Sequence, residues 1–225
     1  MTGSTRSESP ADEPPVALLS DPEQLARLQL WTEQIYRDLL AVQRGELDEE
    51  EFGLRYKHRK AILVLDISGF TEAGTRMGEM GSLLRILDIH RVCAPVLEER
   101  GATLVHAFAD DVVALFDAPE DALAAAFDLH EKVGRYNAWS GHPFAPSCCI
   151  GIGYGDVFAI SPNLAMGNEM NYACKLGEDT ATAGETLLTE NMRKAVEGRA
   201  DVLFEPRSNC GLPFSHVNAT PRPVG

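Results

Sequence analysis

The sequence predicts an α/β domain with a mixed sheet, preceded by helices, and three observations carry that prediction. The run AILVLDIS (61–68) is apolar almost throughout, as a strand buried on both faces should be. Two shorter runs, 102–109 and 112–117, meet at Asp110-Asp111, a hairpin signal. Amphipathic stretches at helical spacing fall between such runs, giving the order β-α-β-β-α-β-β-α-α-β.

Taken in order, residues 1–20 mix prolines with Ser, Asp and Glu and predict a disordered arm. Asp21 and Pro22 make an N-cap and first position, so a helix is expected from there. Its stripe Leu28, Trp31, Ile35, Leu39 and Val42 lies on the body of the protein or pairs with its copy in a second chain. Arg44-Gly45-Glu46 ends it, and residues 48–57 predict a second short helix. This gives a helical segment, 21–57, with a dimerising or regulatory role, followed by the main domain at 58–220. RYKHRK (55–60) is a solvated face before a strand or a phosphate site.

After the strand at 61–68, SGFTEAG turns the chain into a helix carrying Leu83, Leu84, Ile86, Leu87, Ile89, Val92 and Val96. Residues 119–139 form an alanine-rich amphipathic helix, and 147–152 with 156–160 form a second strand pair bent at Gly153 and Gly155. Residues 166–176 and 189–196 read as helices, and VLFEP (202–206) as a closing strand.

Composition excludes several functions. Thirty-four acidic against 20 basic residues give a net charge of −14, so a duplex nucleic-acid partner, which needs a basic surface, is not expected. Docking on anionic lipid is disfavoured for the same reason. No apolar run approaches the ~20 residues that span a bilayer, and MTGSTRSESPADEPP lacks the regions of a signal peptide. The five cysteines (93, 148, 149, 174, 210) contain no CxxC pair and read as reduced thiols of a cytoplasmic protein, without a zinc site.

Chemistry concentrates at strand ends. Asp66 closes an otherwise apolar strand, where desolvating a carboxylate costs several kcal/mol without a cation. Asp110 occupies a turn that a β-α-β-β arrangement brings beside that strand. Alone, Asp110 or Asp111 is a turn residue and Asp66 an N-cap for the next helix. Together, Asp66 and Asp110 make an oxygen-donor site for Mg²⁺ or Mn²⁺. Gly69 sits in the strand–helix junction, where the backbone can approach an anion closely.

These residues resemble the class III nucleotidyl cyclases, the adenylate/guanylate cyclase catalytic domains. VLDISGFT (64–71) is similar to the family's first metal motif and FADDVVALF (108–116) to its second. GIGYGDVFAI (151–160) resembles the glycine-marked strand pair, and GNEMNYACKLGEDTATAGETLLT (167–189) the transition-state helix with the segment beyond. The resemblance runs in order from about residue 60 to 196 and leaves 1–59 uncovered.

It implies a ferredoxin-like βαββαβ palm-type domain that converts a nucleoside triphosphate, ATP by default, to a 3′,5′-cyclic nucleotide and pyrophosphate. By the same resemblance Asp66, Asp110 and the Ile67 carbonyl would hold two Mg²⁺ or Mn²⁺ ions. Gly69, Phe70 and Thr71 would cradle the β- and γ-phosphates, and Asn171 would orient the ribose. Lys175 stands where the family carries arginine, four residues on and so on one helix face. Sites shared between two chains, and hence a homodimer, are implied as well.

The sequence departs from the pattern at several positions. His106 and Leu164 replace the usual base-reading residues, so the family's rules for adenine or guanine do not apply. His106 is otherwise a hydrogen-bonded core or rim group. Ala109 replaces a glycine, Cys149 a basic residue, and Cys210-Gly211 the site of a late lysine, which thins the cations facing phosphate. A cyclase-homology domain that binds nucleotide or a partner without turnover is the alternative. A diguanylate-cyclase or polymerase palm is remote, since no GGDEF-like run is present.

Overall fold

The apolar run does become a buried strand, with Ala61 to Leu65 wholly shielded from solvent. In the computed structural model it belongs to β1 (Lys57–Ile67), which begins four residues earlier than expected and absorbs the end of RYKHRK. The structure describes residues 18–29, 31–68, 70–141, 146–160, 164–208 and 211–223. The expected arm lies largely outside them, as do Gly69 and Cys210.

The chain divides into two compact units between Phe52 and Gly53. In the first, one helix was expected and two are found, α1 (Pro22–Gln29) and α2 (Glu33–Gln43). Thr32 explains the break, because its extended backbone and a side chain accepting from the Ile35 amide start a new helix. Trp31, expected on a continuous stripe, instead stacks on Tyr36 at 5.4 Å. The unit ends within α3 (Glu49–Tyr56).

The second unit is built on β1, α4 (Phe70–Glu99), β2 (Leu104–Phe108), β3 (Asp111–Phe116), α5 (Pro119–Ser140) and β4 (Cys148–Ile160). The strand order β2-β3-β1-β4, antiparallel throughout, is the ferredoxin-like βαββαβ arrangement. Beyond it follow β5 (Leu164–Met166), α6 (Asn168–Gly177), β6 (Thr186–Thr189), α7 (Glu190–Ala195), β7 (Val202–Pro206) and β8 (His216–Pro221). β6 pairs parallel to β4, and β8 and β7 extend the sheet, which makes it mixed. β6 and β8 had not been expected, and the helix placed at 166–176 begins instead at Asn168.

Period-2 alternation sorts the core into two layers. Leu63, Leu65, Val112, Ala114 and Ile150 face Ile89, Cys93 and Val96 of α4 and the alanine-rich face of α5. Ile62, Val64, Leu115 and Val157 face Ala173 of α6. α4 bends at Gly78, whose φ of 73° is left-handed, and of its apolar residues Ile89 and Val96 are buried whereas Leu83, Leu84 and Leu87 are exposed.

The strand pair expected at 147–160 is a single strand, and its glycines are not bends. They form a trough for α6. A Cβ on Gly151 would lie 2.2 Å from the Ala173 carbonyl oxygen, and one on Gly153 would lie 2.5 Å from that of Glu169. Into this trough α6 drops a buried carboxylate. Glu169 accepts from the Tyr154 amide at 3.0 Å, the Thr189 hydroxyl at 2.7 Å and the Asn191 amide group at 2.7 Å. The helix is thereby fixed to β4, β6 and α7.

Candidate functional site

The acidic corner comes from the register of two strands. β1 and β3 pair through Leu65 and Val112, so the next step sets Asp66 beside Asp111, while Asp110 sits in the turn. Ala109, ahead of it, takes a left-handed φ of 52°, the conformation a glycine adopts without cost. Burial, reinforced by the charges of Asp111 and Asp110, pushes the Asp66 carboxyl up to about 6, against a lowering hydrogen bond from the Ile67 backbone. A side-chain interaction with Asp111 adds to the rise at Asp66, and the Asp111 carboxyl is itself raised, by burial first and then by the charges of Asp110 and Glu178. The structure thus brings Asp66, Asp110 and Asp111 to one corner, with Asp111 nearer to Asp66 than the turn reading implied.

Carboxylates crowded enough to hold back a proton are suited to a divalent cation, and Asp66, Asp110 and the Ile67 carbonyl are the hard oxygen donors that Mg²⁺ and Mn²⁺ take. Among the described residues, no group of three His, Cys, Asp or Glu side chains is arranged to hold a metal.

The junction beside the corner is anchored by the Ser68 amide, which donates to the Ser147 carbonyl at 2.9 Å. Phe70 opens α4 and packs its ring against the core, so its backbone is what remains for an anion. Gly69 and the side chain of Thr71 lie outside the described residues.

Asn171 and Lys175 stand elsewhere. Both are exposed, on the side of α6 turned from the sheet, where they line a cavity of about 530 Å³ with Tyr172, Thr180 and the 211–214 loop. Tyr172 and Phe214 form an aromatic wall there, ring centroids 4.2 Å apart. Lys175 is paired with Asp179 one turn on, which raises its ammonium. None of the three corner aspartates is among the residues that line this cavity, although Asp111 is close enough to α6 for its charge to act on Cys174. His106 lies on β2 opposite Val113, and Leu164 on β5 opposite Ile160. Their strands are separated by β3, β1 and β4, and the side chain of Leu164 is outside the described residues.

Arg207 and cations of the RYKHRK run, which could otherwise face phosphate, are engaged within the chain. Arg207 pairs with Glu185, Lys60 with Asp117, and Arg59 lies over the Tyr154 ring at 5.0 Å. The four described cysteines are free, and burial raises each thiol, Cys149 to about 11 and Cys93 and Cys174 to about 12.

Two important side chains escaped the sequence reading. Glu169 was hidden because its three donors come from β4, β6 and α7, which no local pattern joins. Arg85 was detectable, since it precedes Ile89, Cys93 and Val96 at steps of four, four and three, on the stripe that must be buried.

No family model matches this chain, and no curated protein matches it. Solved structures do. The guanylyl cyclase domain of the RhoGC fusion protein from the aquatic fungus Blastocladiella emersonii is similar at a TM-score of 0.63 and 17% identity, over 75% of this chain and 97% of that one. The adenylyl cyclase CyaB from P. aeruginosa matches at 0.62 and 17%, over 75% and 99%. An adenylate/guanylate cyclase/hydrolase from Silicibacter pomeroyi matches at 0.60 and 20%, again over 75% and 99%. The chain has the fold of nucleotidyl cyclase catalytic domains.

Proposed function

We propose that this protein is a class III nucleotidyl cyclase that acts as a homodimer, converting a nucleoside triphosphate to its 3′,5′-cyclic monophosphate and pyrophosphate. The observation that carries the reading is the division of labour within one chain. An acidic corner lies at the end of β1, and an amide with an ammonium lines a separate cavity on α6. Two copies facing each other would complete two sites.

In the reaction the ribose 3′-oxygen attacks the α-phosphorus, the bond from that phosphorus to the bridging oxygen breaks, and pyrophosphate leaves with the electron pair. Mg²⁺ or Mn²⁺, two per site, would be held by Asp66, Asp110 and the Ile67 carbonyl and would supply charge neutralisation and Lewis-acid polarisation of the triphosphate. The start of α4 at Phe70 and Thr71 offers helix-start amides to the β- and γ-phosphates, and the resemblance assigns Gly69 to the same cradle. Asn171 orients the ribose through its amide, fixing the attacking oxygen in line. Lys175 places its ammonium against the charge developing on the transferred phosphoryl group. Lysine keeps the charge but lacks the two-pronged fork of arginine, so turnover is slower than an arginine would give.

ATP is the default substrate. With His106 and Leu164 at the base-reading positions, the other three triphosphates are to be tested alongside it. The relatives divide in the same way. The guanylate cyclase domain from Catenaria anguillulae was crystallised with GTP, and a rhodopsin-guanylyl cyclase core of converted specificity with ATPαS. Residues 21–57 serve as the dimerising or regulatory segment, and the protein works in the cytoplasm. No helix among the described residues is long and apolar enough to cross a membrane.

The test is incubation of the purified protein with each of the four triphosphates and Mn²⁺, with products read by mass spectrometry. A cyclic mononucleotide is expected, lost in Asp66→Ala and Asp110→Ala. Mixing Asp66→Ala with Asn171→Ala chains should restore part of the activity, because one shared site is then intact. Failure of every such mixture to recover would refute the composite site. A second reading, a nucleotide-binding module without turnover, is favoured by the pairing of Lys175, Arg207 and Lys60 with acids of their own chain. Tight nucleotide binding with no product would select it.

A further inference from the structure

The acidic corner is backed by a positive charge that the motif pattern does not contain. Arg85 lies on the inner stripe of α4 and the residue is only 7% exposed. Withdrawing a guanidinium from water costs several kcal/mol unless partners hold it. Its Nη2 donates to the Ser68 carbonyl at 3.2 Å, two residues past Asp66 and at the turn into α4. Burial lowers the guanidinium, and the charge of Asp110 acts in the opposite direction. The other side of Arg85 borders a cavity of about 180 Å³ with Leu84, Asp88, Tyr136 and Pro146.

We propose that Arg85 is a positioning residue of the corner, fixing the Ser68 carbonyl and keeping a resident positive charge beside Asp110, so that a divalent cation meets a partly neutralised set of acids. The proposal rests on the metal reading of Asp66 and Asp110 given above. Its consequence is that cations bind the free protein weakly and enter together with the triphosphate, whose own charge tips the balance in their favour.

The test is a Mn²⁺ titration of the full chain without nucleotide, with free Mn²⁺ read by electron paramagnetic resonance. Removing a unit charge several ångströms from a divalent ion in a partly solvated site should tighten binding in Arg85→Met by about three- to tenfold. Arg85→Lys should remain within about twofold of the parent protein, since charge is retained. A purely structural role predicts the opposite sign, because a loosened turn scatters the ligands. Unchanged or weaker Mn²⁺ binding in a folded Arg85→Met protein overturns the proposal. Arg85→Gln, which keeps a donor for Ser68, carries the same expectation if the methionine variant does not fold. Asp66→Asn separates the two levels of the argument and should weaken Mn²⁺ at least tenfold. If it does so while Arg85→Met and Arg85→Gln fail to tighten binding, only the role of Arg85 falls. If neither the parent protein nor Arg85→Met binds Mn²⁺, even when the titration is repeated with a non-cyclisable triphosphate analogue present, the metal reading falls with it.

Discussion

Substituting alanine at Gly153 tests the positioning of the proposed catalytic amide without touching it. The added Cβ would stand 2.5 Å from the Glu169 carbonyl oxygen, 3.1 Å from its Oε2 and 3.2 Å from its carbonyl carbon. Two of those atoms are backbone, so no side-chain rotation relieves the clash, and α6 must rise by about 1 Å to restore ordinary van der Waals separation. Overpacking of this kind costs about 1–3 kcal/mol. Lifting the helix also lengthens the bonds that Glu169 accepts from Tyr154, Thr189 and Asn191, each worth about 1 kcal/mol or more to a charged acceptor. A total loss of about 2–4 kcal/mol follows, or roughly 4–16 °C in melting temperature for a chain of this size. Because Asn171 is two residues from Glu169, turnover should fall by about a hundredfold, as a misplacement of 1 Å can do. Denaturant unfolding and product formation measure the two effects. A Gly153→Ala protein within 0.5 kcal/mol of the parent, or one that cyclises at the parent's rate, would show that α6 is not seated by main-chain contact.

Three further outcomes are expected. Asp66, raised to about 6 from the 3.8 of an ordinary aspartate, binds its proton more tightly folded than unfolded. Its contribution to stability is therefore present in full below about pH 4 and lost as pH rises through 6. Asp66→Asn should consequently stabilise the metal-free protein at pH 7 by about 1 kcal/mol, after discounting for a half-exposed group, with the gain vanishing near pH 4 while cyclisation is lost; pH-dependent denaturation reads the first and mass spectrometry the second. Lys175→Ala should lower kcat by about a hundredfold with a smaller change in KM, as removal of a transition-state charge does, and steady-state kinetics would expose a ground-state role if KM moved instead. Ala109→Gly relieves a left-handed alanine and should raise stability by about 0.5 kcal/mol, the steric gain net of glycine's chain entropy, as measured by urea unfolding.

Much of the sheet could be read from local pattern because its central strands are buried on both faces. The run at 61–68 and the hairpin at 102–117 needed only apolarity and a turn, and together they sufficed to place Asp66 and Asp110 at one corner. The outer strands were not legible. β6 contributes only TLLT, and β8 carries a histidine, an asparagine and a proline, so each is recognisable as a strand only once its neighbour is known. Gly153 and Gly155 misled because alternate glycines inside an apolar run suggest a bend, whereas the close approach of a distant helix is what requires them. In the first unit the periodic stripe pointed to one helix, but Thr32 broke it into two, since a cap acts locally and periodicity does not. The cavity that Asn171 and Lys175 line with the 211–214 loop is made by three-dimensional packing and left no mark in the sequence.

The glycine trough also bears on how far such a chain can drift. Where a helix rests on main chain, its height above the sheet is dictated by atoms common to every residue type, and the surrounding side chains become largely interchangeable lining. Only a handful of positions, those that must stay without a side chain and those whose functional groups project outward, are then tightly constrained. That economy is compatible with an architecture recognisable at a TM-score of 0.63 while 17% of residues coincide.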